Sequence, residues 1–175
     1  MTRKILIPWN KISLVVPENE DIDLYHKGMN NIQTQHYLGY NSRTFSREDE
    51  EKYFESINKD NKSQTFCIMI NDTKQIIWNI SLNEINHINK WGIMWIVIFE
   101  ELKRWNGYGK EAINLLHIFS KQQLNLRKMC LHVYADNIKA INLYTKIWYK
   151  EVWRWKQHKF HNWEFIDDVM MEIFL

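Results

Sequence analysis

The segment Arg104–Gly109, which reads Arg-Trp-Asn-Gly-Tyr-Gly, has the residue types and spacing of an anion-binding loop. It follows an unbroken apolar run over residues 92–99, which is typical of a strand buried on both faces. It precedes apolar residues at helical spacing, which predict a helix from about Gly107 to Leu124. Glycines let the backbone approach a ligand closely, and free N–H groups at a helix start favour phosphate. The segment therefore predicts a phosphate site, with an ordinary strand-to-helix turn as the alternative.

Length and charge limit the classes of function that the chain can have. Its 175 residues are enough for a hydrophobic core and predict one domain over residues 1–175. The 23 basic and 21 acidic residues give a net charge of +2, which provides no case for binding nucleic acid or a membrane. The sequence contains no apparent transmembrane span or signal peptide, so we expect a soluble, cytoplasmic protein.

The two cysteines, Cys67 and Cys130, both lie in apolar runs that resemble strands. Neither has a further ligand at zinc spacing, so the sequence predicts no metal site around them. This setting favours buried free thiols, because a reduced cysteine behaves as a small hydrophobic residue.

Patterns along the chain predict the elements that must position the loop. Ser46–Asp49 has the residue types of a helix-capping signal. The order of elements predicts an α/β (α+β) fold, with a mixed, mostly antiparallel sheet flanked by helices. The predicted strands are 11–16, 65–70, 75–82, 93–99, 128–134, 149–159 and 164–174, and the predicted helices are 17–29, 46–57, 107–124 and 137–147.

Two segments resemble motifs of the GNAT family of N-acetyltransferases. Arg-x-x-Gly-x-Gly after a central strand, at Arg104–Gly109, resembles the loop that binds the pyrophosphate of acyl-CoA. The segment Asn137–Tyr149 resembles the family's Asn-x-x-Ala-x-x-Leu-Tyr-x-Lys-x-Gly-Tyr signature, and the two segments occur in the right order. The resemblance implies the acyl-CoA N-acyltransferase fold and direct transfer of an acetyl group from acetyl-CoA to a primary amine, without a metal.

The resemblance also implies residue roles. Unpaired backbone of the central strand holds the pantetheine arm, and backbone N–H groups of the glycine loop hold the pyrophosphate. Asn137 contacts the cofactor near that arm, and Tyr144 donates a proton to the departing thiolate. The implied cofactor-binding residues are Ile96, Val97, Ile98, Arg104, Trp105, Asn106, Gly107, Tyr108, Gly109, Lys110, Asn137 and Tyr144.

The acceptor amine must be neutral to attack, so a general base or a chain of waters has to remove its proton. Glu84 is the first candidate for a catalytic base and His87 the second, because both lie just past the third predicted strand. The alternative is that each is a solvated turn residue. Tyr144 also has an alternative interpretation, as a core aromatic residue on the apolar stripe of its helix.

The C-terminal segment Arg154–Asp168 resembles a subgroup of the family. A basic residue, His158-x-Phe160, a hairpin turn and Asp167 or Asp168 recur in acetyltransferases that act on ribosomal protein N-termini, polyamines and amino sugars. The resemblance therefore implies a protein N-terminus, a polyamine or an amino sugar as acceptor. The first two are cationic and would suit an acidic groove.

Two other classes of function stay open. The same fold could hold CoA or a partner protein without turnover, as a non-catalytic binding module. A structural α/β domain without a ligand would use its aromatic residues only for its core and interfaces. As an enzyme, the protein would have acetyl-CoA and an amine acceptor as partners and would be a monomer or a homodimer.

Tryptophan stands where this family commonly has glycine. An average glycine content of about 7% predicts roughly twelve glycines, whereas the chain has 5 glycines and 9 tryptophans. A helix end and a tight hairpin turn are two of these places, and both favour glycine. The positions are Trp9, Trp78, Trp95, Trp105, Trp148, Trp153 and Trp163.

These positions lead to the hypothesis that the gene uses UGA for glycine and that the translation used here reads it as tryptophan. UGG codons at Trp105, Trp148 and Trp163 would contradict it. The alternative is a homologue that is genuinely rich in tryptophan. Under the hypothesis we expect the chain with tryptophan to be less stable and to bind CoA poorly, because Trp105 crowds the loop and Trp95 the central strand.

Overall fold

The structure is a computed structural model that describes residues 4–38, 43–57, 59, 61–98, 106–161 and 163–175, with the backbone alone at His36, Tyr37 and His161. Its strands are β1 (Ile5–Pro8), β2 (Ile12–Val15), β3 (Gln64–Ile70), β4 (Ile76–Asn86), β5 (Trp91–Ile98), β6 (Lys128–Tyr134), β7 (Lys150–His161) and β8 (Glu164–Phe174). Its α-helices are α1 (Ile22–Met29), which follows a 3-10 turn at Asn19–Asp21, α2 (Ile32–Leu38), α3 (Arg47–Ser56), α4 (Tyr108–Gln122) and α5 (Ile138–Lys146).

The described strands form one eight-stranded sheet in the order β1-β2-β3-β4-β5-β6-β8-β7. Within it, β5 and β6 run parallel, and the other described neighbours are antiparallel. The helix α4 is the crossover that makes the parallel pair possible. The predicted fold class, a mixed and mostly antiparallel sheet flanked by helices, is confirmed.

Elements with a strong local signal have the predicted bounds. The strands β6 and β8 match the predicted ranges to the residue. The helix α3 begins after Ser46, whose hydroxyl accepts the N–H of Asp49 at 3.1 Å while the Asp49 carboxylate accepts the N–H of Ser46 at 2.8 Å. This reciprocal pair is the predicted capping box.

Sequence analysis misses β1 and α2 and ends β4 too early. The strand β1 is a short edge strand with mostly exposed residues, so it lacks a buried face to produce alternation. The helix α2 lies in a mainly polar stretch, where no apolar stripe is visible. The strand β4 runs four residues beyond its predicted end at 82, because a bulge between Asn83 and Asn86 lets the pairing with β5 continue.

The strands β5 and β6 separate after a short parallel ladder. They pair over residues 91–93 and 128–130. Residues 94–98 then pair with β4 on one side, and their other edge faces a gap. Gly92 pairs with Met129 in the middle of this ladder, and a Cβ atom there would be 2.9 Å from Leu82 Cδ1. Glycine therefore allows β5 to approach β4 just before β5 leaves β6.

The helix α4 fixes the middle of the sheet. Its buried face joins the main hydrophobic core, and Glu111 in its first turn accepts the backbone N–H groups of Lys11 at 2.8 Å and Ile12 at 3.2 Å. Within the described residues, Cys67 and Cys130 are buried and form no disulfide, as predicted. No helix in the described ranges is long and apolar enough to cross a bilayer.

Three of the tryptophans in question adopt backbone angles that favour glycine. The φ angles are 141° at Trp78, 74° at Trp148 and 66° at Trp163. Trp148 follows the end of α5 in a Schellman arrangement, in which its N–H bonds to the carbonyl of Thr145 and the N–H of Tyr149 to that of Tyr144. The left-handed conformation expected at Trp148 is therefore present, whereas the decoding hypothesis itself stays a prediction.

Replacing Trp148 by glycine should stabilise the protein. The side chain is 81% exposed, so little packing is lost, and a left-handed backbone costs a non-glycine residue about 1–2 kcal/mol. After the greater chain entropy of unfolded glycine is subtracted, we expect the free energy of unfolding to rise by about 1 kcal/mol. Urea denaturation of Trp148→Gly measures it. The control is Trp153→Gly in β7, also exposed but with ordinary φ, which should lose stability. Equal losses in both variants would contradict the prediction.

Candidate active site

The gap between β5 and β6 opens into a cavity of about 1140 Å³, called here the interstrand cavity. The edge of β5, the start of α4, the end of β6 and the inner face of α5 line it. It brings together eight of the twelve predicted cofactor-binding residues. These eight are Ile96, Val97, Ile98, Gly107, Gly109, Lys110, Asn137 and Tyr144.

The other four predicted residues do not line this cavity as described. Asn106 and Tyr108 are adjacent to the start of α4 but are not among its lining residues. Arg104 and Trp105 lie outside the described residues. The roles of all twelve in binding a cofactor stay predictions.

The start of α4 presents backbone N–H groups to the interstrand cavity. Gly107 is the N-cap residue with φ 83°, so its left-handed conformation favours glycine. The first bond within the helix joins the N–H of Glu111 to the carbonyl of Gly107 at 3.1 Å. The N–H groups of residues 108–110 precede that bond and have no partner within the helix. With the positive end of the helix dipole, they suit an anionic group such as a phosphate.

Asn137 stands at the junction of β6 and α5. Its Oδ1 accepts the N–H of Ala140 at 3.2 Å, so the residue caps α5. This cap fixes the start of α5 at the wall of the cavity, and with it the position of Tyr144 two turns later.

Tyr144 is buried at the wall of the interstrand cavity, and burial raises the pKa of its phenol to about 12. The hydroxyl is therefore protonated near neutral pH and can donate a hydrogen bond into the cavity. Because a thiol has an ordinary pKa of about 8.5, full transfer of this proton to a free thiolate is unfavourable. A phenol with so high a pKa is therefore better suited to hydrogen bonding to a developing negative charge than to simple proton donation.

A buried cluster of Tyr149, His117 and Met94 lies next to Tyr144. The ring centroid of Tyr149 is 5.9 Å from that of Tyr144, and its hydroxyl is 3.0 Å from His117 Nε2 on α4 and 3.8 Å from Met94 Sδ on β5. Burial lowers the pKa of His117 to about 4 and raises that of Tyr149. All three titratable groups are therefore neutral near pH 7. Sequence analysis singles out neither His117 nor the hydroxyl of Tyr149, because their pairing spans 32 residues.

A second cavity of about 670 Å³ lies between the sheet and the helices α1 and α3, and is called here the aromatic cavity. Tyr25 is one of its lining residues, and its ring centroid is 6.1 Å from that of Tyr53 and 5.2 Å from that of Trp78. Trp95 and Val97 of β5 line both cavities. The two cavities therefore share the unpaired part of β5 as a wall. Residues that sequence analysis missed here include Tyr25, Phe45, Asp49, Glu50 and Tyr53.

The structure does not bring the two predicted base candidates to either cavity. Glu84 is exposed at the bulge of β4, with φ 51°. The ring of His87 bonds to the carbonyl of Asn61 at 2.7 Å. Neither residue lines the interstrand or the aromatic cavity, and the role of Glu84 as catalytic base stays a prediction.

A histidine–carboxylate pair does line the interstrand cavity. Nδ1 of His132 on β6 is 3.3 Å from Oδ2 of the buried Asp168 on β8, and the imidazole stacks on Trp155 with centroids 5.3 Å apart. Lys159 Nζ is 3.9 Å from the same carboxylate oxygen. Both residues line the cavity, and sequence analysis did not connect them. Within the described residues, no cluster of three or more His, Cys, Asp or Glu is placed to hold a metal ion.

Comparisons of the sequence with known proteins identify the family. The family model of the acetyltransferase (GNAT) domain matches residues 11–150. Spermidine N(1)-acetyltransferase of Vibrio cholerae is 30% identical over 142 residues, covering 81% of this chain and 80% of the relative. An N-acetyltransferase 9-like protein of Caenorhabditis briggsae is 23% identical over 155 residues, covering 83% and 77%.

Solved structures of related proteins have a similar fold. The Vibrio cholerae spermidine N-acetyltransferase in complex with CoA and spermine has a TM-score of 0.86 at 26% identity, covering 94% of this chain and 95% of that one. A dodecameric structure of the same Vibrio cholerae enzyme has a TM-score of 0.79 at 25% identity and covers 94% of each chain.

The buried His117 should make the protein less stable in acid. Its native pKa of about 4 lies below its unfolded value of about 6.5. Between these pH values the unfolded chain binds a proton that the native state does not. The free energy of unfolding should therefore fall as pH drops from 6.5 to 4, by up to about 3 kcal/mol.

Urea denaturation across this pH range measures the dependence. His117→Gln should flatten the slope whatever its effect on stability at pH 7. The matched control His87→Gln, on a turn outside α4, should keep the slope of the wild type. An identical slope in all three proteins would contradict the prediction.

Proposed function

The chain belongs to the acetyltransferase (GNAT) family and is an N-acetyltransferase, and from this premise we propose that it transfers an acetyl group from acetyl-CoA directly to a primary amine of a polyamine. The single observation that carries the proposal is that two cavities meet at the unpaired part of β5. One suits an anionic co-substrate with an amide-containing arm, and the other suits a cationic acceptor.

The interstrand cavity fits acetyl-CoA in its donor groups. N–H groups at the start of α4 suit the pyrophosphate, and Lys110 lies at the same place. The edge of residues 94–97 that faces the interstrand cavity suits the amides of the pantetheine arm, because backbone N–H and C=O groups seek partners. Acetyl-CoA supplies the activated acetyl group as a thioester.

The aromatic cavity suits a polyamine better than the other two acceptor classes. Ammonium groups are attracted to aromatic faces and to carboxylates, and this cavity offers both. Its aromatic walls also cover the methylene groups between the charges. The Vibrio cholerae relative is named for spermidine, which is consistent with this choice.

Direct transfer requires two proton movements. The acceptor must lose a proton before its nitrogen attacks the acetyl carbon, and the departing sulfur must gain one. In this proposal Tyr144, at the cavity wall, donates a hydrogen bond to that sulfur while the C–S bond breaks, and the thiolate that leaves then takes its proton from water. The His132–Asp168 pair and the predicted Glu84 are candidate proton acceptors, of which the pair lies at the cavity.

Thiol release from acetyl-CoA in the presence of spermidine tests the proposed activity. We expect saturable release that requires the amine, and acetylspermidine as product by mass spectrometry. Reactions without amine or with an amino sugar serve as controls. Binding of CoA without amine-dependent release would contradict the proposal and support the non-catalytic binding module. The triple variant Trp105→Gly, Trp148→Gly, Trp163→Gly should be the more active protein if the decoding hypothesis is right.

Replacing Tyr144 by phenylalanine should lower kcat by about 100-fold, because a positioned donor typically contributes that much. The ring still fills its place in α5, so the affinity for CoA should change little. Steady-state kinetics measure kcat, and thermal shift with CoA checks that the cavity is intact. A kcat within twofold of the wild type would exclude Tyr144 as a donor.

A further inference from the structure

Glu50 is a buried carboxylate on the wall of the aromatic cavity. The residue is 3% exposed and faces the cavity from α3. Its side chain makes no hydrogen bond or ion pair with any residue that the structure describes. Burial raises the pKa of the carboxyl group, and His26 on α1 opposes this shift. Burial disfavours a carboxylate that has no ion pair among the described residues, and the carboxylate of Glu50 opens onto the cavity, so a cation bound beside it would be stabilised.

The other charged groups of this cavity already have partners. The carboxylate of Asp49 accepts the N–H and the hydroxyl of the residue that caps α3, both at 2.8 Å. The ammonium of Lys52 pairs with a different glutamate of α3 at 2.6 Å. The guanidinium of Arg43 lies 4.8 Å from the ring centroid of Phe45. Among the described residues that line this cavity, Glu50 is therefore the acid whose charge is available to a ligand.

Glu50 lies away from the place where acetyl transfer would occur. The reacting amine must reach the wall that the two cavities share, at Trp95 and Val97 of β5. Glu50 is on the helical wall. It lines the aromatic cavity and does not line the interstrand cavity. An amine at β5 and a cation at Glu50 therefore belong to opposite sides of the same cavity.

We infer that Glu50 binds a second ammonium group of the acceptor, remote from the amine that is acetylated, and so selects polyamines over monoamines. This inference rests on the proposed function. Tyr25 and Tyr53, whose ring centroids are 6.1 Å apart, line the same cavity as Glu50, and an aromatic ring there adds cation–π attraction to the same ammonium group. A monoamine that reaches β5 has no group for Glu50 to bind.

Kinetics with a matched pair of amines test the inference. Spermidine and 1-aminobutane present the same aminobutyl arm, and only spermidine carries further ammonium groups. In Glu50→Gln we expect KM for spermidine to rise about tenfold, since a charge-assisted hydrogen bond is lost, while kcat/KM for 1-aminobutane stays within twofold. Glu55→Gln removes the same charge from an exposed position of α3 and should behave as the wild type. Glu50→Asp, which keeps the charge, should recover part of the affinity.

Other kinetic results would overturn the inference. Equal losses for both amines, or a fall in kcat without a rise in KM for spermidine, would show that Glu50 acts at the reacting centre or on the fold. Thermal shift with CoA shows whether Glu50→Gln is folded. If it is not, the comparison of the two amines is made with Glu50→Asp, where an unchanged preference for spermidine would also count against the inference.

Calorimetric binding of spermidine to the CoA-bound protein separates this inference from the proposed function. Binding without turnover that is lost in Glu50→Gln would refute the activity and support the ammonium site. Turnover of spermidine that is equal in the wild type and Glu50→Gln would support the activity and refute the site. Neither binding nor turnover in the wild type would refute both.

Discussion

The parallel pairing of β5 and β6 ends after three residues on each strand, and the rest of the molecule depends on that separation. A backbone edge that leaves its neighbour must find other partners, and here it faces a cavity instead of a strand. The helices α4 and α5 follow the two diverging strands, so both begin at the mouth of the same gap. The separation of β5 from β6 therefore exposes an edge of β5 to the cavity and places the starts of two helices beside it.

Neutral buried side chains fix the elements on either side of the gap between β5 and β6. Tyr149 contacts α4 through His117 and β5 through Met94, while its ring packs near Tyr144. Because burial disfavours the charged form of each of these groups, the cluster carries no net charge inside the core. The result is a fixed Tyr149 side chain next to the ring of Tyr144, held by contacts to α4 and β5. Such preorganisation lets a donor act on developing charge without first rearranging.

Local chemistry made part of this structure predictable. The capping box at Ser46, the range of β6 and the glycine at the start of α4 each depend on neighbours in sequence, and each is present as expected. Most of the predicted cofactor residues line one cavity. This set could be predicted because the family resemblance implied it, whereas the spacing of the residues alone could not do so. Glu50 and His117 depend on packing between distant elements. Neither the burial of Glu50 nor the pairing of His117 with Tyr149 produces a pattern in the sequence.

The position of Trp95 has an optical consequence. Its indole is 46% exposed and belongs to the wall that both cavities share. Indole emission depends on the polarity around the ring, so a ligand entering from either side changes the surroundings of the same fluorophore. Trp148 and Trp163 are far more exposed and give a constant solvent-like background. The chain with tryptophan thus contains an intrinsic fluorescent reporter at the junction of its two cavities, which a chain with glycine there would lack.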